Sequence, residues 1–157
     1  MEPSDADLIV EVLVADNPHA FTRLVERHQA SIRVLLRRLT HGNETVSDEL
    51  AQDTFLQAFR RLRDFRGEAR FSTWLFRIAY NAFLVHVRKQ RDHEVFDEVA
   101  HAGVTESRAT ASDLNHDLEL AMRQLSIPER AVLTLCLGEG YTHEETANAL
   151  DLPLGSV

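Results

Sequence analysis

Apolar residues along this chain recur at intervals of three and four rather than alternating, the spacing of helices with one buried face. Leu8, Ile9, Val12 and Leu13 form the first such stripe and predict a helix from Ser4 to about Ala15. Asn17-Pro18 restarts the pattern, with Asn17 as N-cap and Pro18 at the first helical position, where a missing N–H leaves no bond unmade. Phe21, Leu24, Val25, His28, Ile32, Leu35, Leu36 and Leu39 carry the second helix to Gly42, which stops it. A third helix is predicted from near Ser47 to near Asp64, with Ala51, Phe55, Ala58, Phe59 and Leu62 on its core stripe. After a short loop over 65–70, Ser72 is placed to cap a helix reaching Arg91, and Phe71 and Phe76 are placed to staple its start.

The periodicity then breaks. Residues 92–112 are polar and acidic and predict a flexible linker. Helical spacing resumes over 113–125, 128–137 and 142–150, with Thr142 and Glu145 spaced as a capping box. The expected fold is all-α: two small helical domains, 1–91 and 113–157, joined by the linker 92–112.

Composition narrows the function. Four prolines and six glycines in 157 residues leave room for long helices. The N-terminus is acidic where a signal peptide would be basic, and the apolar runs at 80–87 and 131–137 are too short to span a bilayer. A cytoplasmic protein is expected. The single cysteine, Cys136, excludes an internal disulfide and a cysteine-built zinc site, and its apolar neighbours suit a small buried hydrophobe. The eight histidines are dispersed, with no HExxH spacing. No metal, cofactor, catalytic residue or small-molecule substrate is therefore expected, and the chain does not read as an enzyme.

Charge is distributed unevenly. The net charge is −8, yet residues 1–65 carry −3, residues 66–91 carry +5 and residues 92–157 carry −10. One short basic segment lies between two acidic ones, and for a nucleic-acid contact the local charge matters more than the total. At 100° per residue, Arg77, Asn81 and Arg88 fall on one narrow stripe of the fourth helix, with Trp74 at its edge. Arginines hold phosphates, Asn reads a base edge, and an aromatic ring stacks on an unpaired base. For Trp74, burial in the core is an equally good reading. Arg66, Gly67 and Arg70 form the preceding loop, where glycine permits close backbone approach. On the third helix Gln52, Asp53 and Leu56 lie off the core stripe, as a partner surface or as a solvated face with one exposed leucine.

Three stretches carry a resemblance. Asp48-Glu49-Leu50-Ala51-Gln52-Asp53-Thr54-Phe55-Leu56-Gln57-Ala58-Phe59 resembles region 2.2 of the extracytoplasmic-function sigma factors. Phe65-Arg66-Gly67 followed by Phe71-Ser72-Thr73-Trp74-Leu75-Phe76-Arg77-Ile78-Ala79-Tyr80-Asn81 resembles regions 2.3 and 2.4 of that family. Leu125-Ser126-Ile127-Pro128-Glu129-Arg130, Gly140 to Ala147 and Leu152 to Val157 resemble its region 4, a helix-turn-helix. Three positions depart from the usual pattern: Val85 in place of an acid, Thr146 in place of Ile, and Asp151 where Gly would suit a left-handed turn.

The resemblance implies a promoter-recognition subunit that works with core RNA polymerase. It implies that Gln52, Asp53 and Leu56 grip the clamp helices of the beta-prime subunit. It also implies that Arg66, Arg70, Trp74, Arg77, Asn81 and Arg88 engage promoter DNA at the melted minus-ten element. An anti-sigma factor, membrane-linked, is implied as regulator. Gly155, Ser156 and Val157 would start the helix that reads the minus-thirty-five element, and the sequence ends within its first turn. This 157-residue form is accordingly expected not to bind a minus-thirty-five duplex. The competing expectation is a sigma-fold protein-interaction module that has lost promoter reading.

Overall fold

The computed structural model describes residues 2–96 and 113–157. The expected linker falls largely outside these residues. Among the described residues there is no strand, and no helix is long and apolar enough to cross a membrane.

Helix α1 (Asp5–Val14) starts at Ser4, whose hydroxyl accepts from the Asp7 N–H while the Asp7 carboxylate accepts back from Ser4. Helix α2 (Pro18–Leu39) starts at Asn17 as expected, its side chain accepting from the His19 N–H at 3.1 Å. Gly42 follows with φ +81°, a conformation glycine adopts without strain. Helix α3 (Glu44–Arg60) begins earlier than expected, because Asn43 is the cap: its carbonyl accepts from the Val46 N–H at 3.1 Å. Ser47 is instead buried within the helix and donates to the Glu44 carbonyl. A single 3-10 turn over 62–64 follows.

Helix α4 (Phe71–Phe96) runs past the expected end at Arg91. Ser72 does not cap it but lies inside its first turn. Helices α5 (Asp113–Arg123) and α6 (Ile127–Leu133) are joined by a turn in which Ser126 and Glu129 form a capping box. The chain after α6 widens into a π turn over 134–138. Helix α7 (His143–Leu150) opens on the expected Thr142–Glu145 box and ends at Asp151, which takes the left-handed conformation at φ +55°.

Helices α1 to α4 form one lobe around the fully buried Leu8, Leu24, Ile32, Leu35, Leu36, Leu39, Leu62, Leu75 and Phe76. Burying each such side chain stabilises the fold by roughly 1.5–3 kcal/mol. Phe59 corrects the expected core stripe. It is 46% exposed and only its ring edge meets Phe21, at a centroid distance of 5.0 Å. Cys136 is half-buried, its sulfur 3.2 Å from the Thr146 hydroxyl.

The second lobe, α5 to α7, does not stand apart. Helix α7 packs on α4 and α6 packs on α2. Arg130 of α6 is 5% exposed, and no carboxylate faces it among the described residues. Its guanidinium donates to the Leu39 carbonyl at 3.0 Å and to the His41 ring at 2.9 Å, at the C-terminus of α2. The negative end of the helix dipole takes the place of a counter-ion there.

This contact is sensitive to protonation. Partial desolvation by α6, then Arg130, then Arg123, hold the His41 pKa below its ordinary value of 6.5. In the unfolded chain the ring titrates near 6.5, so below that pH the unfolded state binds the extra proton first. Stability is therefore full above pH ~6.5 and falls as the pH drops toward the folded-state pKa. His41→Asn keeps the left-handed backbone at φ +54° and an acceptor for Arg130. Its melting temperature should fall less than that of the parent chain between pH 7.5 and 5.5 (roughly one unit either side of the free-ring value). Equal falls would remove His41 from the account.

Candidate nucleic-acid interface

The segment that leads into α4 is built from aromatic rings. Phe65, half-buried, meets Phe71 edge-on at 5.5 Å and Trp74 at 5.4 Å, and Phe71 lies 5.7 Å from Trp74. His28 of α2 closes the cluster against Phe71 at 5.5 Å. Trp74 is thus half-buried and held by neighbours on one side. Gly67 has φ +70°, and a Cβ there would meet nothing within 4 Å. The loop needs glycine for its backbone angle, and no atom of this chain crowds it.

On α4, Ile78, Ala79, Tyr80, Ala82 and Phe83 are buried while Arg77 and Asn81 are exposed, as is Arg88 one turn beyond Leu84. The expected Arg77–Asn81–Arg88 stripe therefore exists as one outward face. Arg66 and Arg70 are exposed on the preceding loop. On α3, Gln52, Asp53 and Leu56 all face outward, with Leu56 47% exposed and Asp53 accepting from the Gln57 amide at 2.9 Å. Phe59 lies one turn from Leu56 on this same face, which sequence reasoning missed. Its 40° offset from Phe55 makes it a boundary position that periodicity assigns to either side.

Two of the arginines are already engaged. Arg70 forms an ion pair with Glu145 of α7 and lies over the Tyr141 ring, 5.0 Å from its centroid. Arg77 lies 3.4 Å from the carboxylate of Asp151. Between these pairs Tyr141 meets Phe76 edge-on at 5.3 Å and donates its hydroxyl hydrogen to Ser72 at 2.6 Å. Burial pushes the Tyr141 phenol up, against the opposing pull of the Ser72 hydrogen bond. The Thr142 backbone N–H, and after it Arg70, hold the Glu145 carboxyl below the usual range, so it is ionised at neutral pH. Sequence reasoning missed these pairs; the charge of −10 over residues 92–157 against +5 over residues 66–91 is the signal in the sequence that is consistent with them. Gly155 and Ser156 stand exposed and Val157 half-buried at the end of a 3-10 turn over 154–156 that follows Asp151.

The chain is similar to known proteins over most of its length. Residues 24–93 match the sigma-70 region 2 family and residues 115–157 match sigma-70 region 4. The RNA polymerase sigma-H factor of Pseudomonas aeruginosa is 32% identical over 95% of this chain and 84% of its own length. The ECF RNA polymerase sigma factor SigM of Mycobacterium tuberculosis is 30% identical over 99% of this chain and 78% of its own. Among solved structures, CnrH in complex with the cytosolic domain of CnrY superposes with a TM-score of 0.70 at 27% identity, over 97% of this chain and 86% of that one. The sigma factor RpoE in complex with the anti-sigma factor NepR, from Bartonella quintana, shares the fold with a TM-score of 0.72 at 24% identity, over 87% of this chain and 86% of that one. The chain belongs to the extracytoplasmic-function sigma factors of the sigma-70 family, subunits that direct RNA polymerase to initiate transcription.

Proposed function

We propose that this sigma factor binds the beta-prime clamp helices of core polymerase through the outward face of α3 and holds the melted minus-ten strand of promoter DNA on α4. The observation that carries this reading is the outward stripe of Arg77, Asn81 and Arg88 on a helix whose opposite face, from Leu75 to Phe83, is buried, fed by a loop bearing Arg66 and Arg70. Opening a promoter without nucleotide hydrolysis requires contacts that favour separated strands. Arginines supply the phosphate contacts, and an aromatic platform such as Trp74 adds about 1–3 kcal/mol for each base that stacks. Packing of Trp74 against Phe65 and Phe71 orients its ring before any strand arrives. The same stripe argues against an interaction module that has given up promoter reading.

An anti-sigma factor is the proposed regulator, membrane-linked and acting on a cytoplasmic sigma factor. Support comes from the two similar solved structures, CnrH with the cytosolic domain of CnrY and RpoE with NepR. Exposed apolar residues on both lobes, Leu56 and Phe59 on α3 and Leu133 and Leu137 around the end of α6, offer such a partner surface to bury.

Asp53→Arg should abolish binding to core polymerase in a pull-down while leaving circular dichroism and melting unchanged, since the side chain is exposed. Binding at parental affinity would show that the α3 face is misassigned. Asn81→Ala should alter the preference among minus-ten sequences in a promoter-competition assay, by about 1–3 kcal/mol at one base. Arg88→Ala should weaken all sequences alike and reduce the salt slope by about one. Uniform loss for Asn81→Ala would count against base reading. Core polymerase and the anti-sigma factor should compete for the chain in size-exclusion chromatography, and a stable ternary complex would refute a shared surface.

A further inference from the structure

The aromatic cluster at the start of α4 is held from a helix that precedes the match to sigma-70 region 2. That match begins at residue 24, and α1 lies before it. Asp5, in the first turn of α1, meets two consecutive residues of α2. Its Oδ1 accepts from the Arg27 guanidinium at 2.6 Å, and its Oδ2 lies 2.9 Å from His28 Nε2. A carboxylate only accepts, so Nε2 carries the hydrogen of that bond. The His28 ring stands edge-on to Phe71 at 5.5 Å, and Phe71 contacts both Phe65 and Trp74. Contacts thus run unbroken from Asp5 through His28 and Phe71 to Trp74.

The two arms of Asp5 have different uses. The Arg27 arm ties α1 to α2, helped by a further bond from Arg27 to the Pro3 carbonyl at 2.9 Å. That tie needs no histidine. The His28 arm reaches the cluster, and its ring is not fixed by packing alone: with Ser31, Ser72 and Tyr141 it lines a cavity of about 210 Å³. A ring beside a void has fewer neighbours to hold its angle. The angle matters, because an edge-to-face contact sets the positive edge of one ring against the negative face of the other. The Asp5 bond supplies the missing restraint, and with the His28 side chain 14% exposed it is largely shielded from water.

We infer that His28, held by Asp5, is a positioning residue for the strand platform: it fixes Phe71, and Phe71 with Phe65 fixes the angle at which Trp74 meets a base. This rests on the reading of Trp74 as that platform and adds to it two residues outside the basic stripe. Phe71 is 3% exposed and cannot meet a strand itself, whereas Trp74 is half-buried and can. A ring oriented in advance loses less freedom when a base stacks on it.

Trp74 is the only tryptophan of the chain, so intrinsic fluorescence reports on the platform directly. Two variants cut the same link at different ends. Asp5→Ala removes the acceptor, and His28→Phe keeps an edge-on ring that cannot bond to Asp5, with the neighbouring cavity to take its extra volume. Arg27→Ala is the control, since it removes the other arm and leaves His28 bonded. Circular dichroism and melting check each fold. Acrylamide quenching and time-resolved anisotropy of Trp74 are measured on the full chain. Strand affinity is measured on the chain assembled with core polymerase, using a fluorescein-labelled single-stranded oligodeoxynucleotide carrying a mixture of minus-ten-like sequences.

Asp5→Ala and His28→Phe should each raise the quenching and the fast motion of Trp74. Each should weaken strand binding by about two- to ten-fold, the size of one edge-to-face contact. Arg27→Ala should change neither, and in a Trp74→Ala background Asp5→Ala should weaken the strand no further. An equal response in Arg27→Ala would assign the effect to the anchoring of α1 and overturn the proposal. Unchanged Trp74 fluorescence or unchanged strand affinity in both variants, where Trp74→Ala still weakens the strand, would overturn positioning and leave the platform reading standing. Strand affinity indifferent to Trp74→Ala would overturn the platform reading, and the positioning role with it.

Discussion

Helix α4 has more apolar circumference than one neighbour can cover. Leu75, Phe76, Ile78, Ala79, Tyr80, Ala82 and Phe83 are all buried, and they span about 200° of the helix circumference. A helix of that kind needs partners on two sides. Helices α2 and α3 supply one side and α7 supplies the other, with the Tyr141 ring edge-on to Phe76. The arc left over carries Arg77, Asn81 and Arg88, with the half-buried Trp74 and the exposed Val85 beside them. The polar face of this protein is thus defined by what the packing cannot reach, and its width follows from the helix geometry and not from the charges on it.

Much of this was legible in the order of residues. Asn17-Pro18 and Thr142 with Glu145 mark helix starts through backbone chemistry that acts within three positions, and the structure has both where the sequence placed them. Asp151 stands where a left-handed turn would suit Gly, and it does adopt φ +55°. The failures have a common origin. Asn43 and Ser47 are both good caps, and propensity does not say which hydroxyl or amide the buried face will admit. Phe59 lies at the margin of its stripe, where an angle of 40° decides between core and surface. Ser72 reads as a cap until Tyr141, sixty-nine positions away, engages its hydroxyl.

The candidate surfaces divide in the same way. The residues of each, Gln52, Asp53 and Leu56 on one and Arg77, Asn81 and Arg88 on the other, are visible from helical spacing, because both lie on single helices. Their surroundings are not. Arg70 with Glu145, Arg77 with Asp151 and Arg130 with Leu39 are contacts between segments far apart in the chain, and a local pattern carries no trace of them.

Arg130 has a consequence for how the two lobes separate. A buried guanidinium without a carboxylate is tolerable only while the Leu39 carbonyl and the His41 ring remain within reach. A displacement that breaks those bonds strands the guanidinium until water reaches it, so the two acceptors fix where α6 can sit on the end of α2 as well as holding it there.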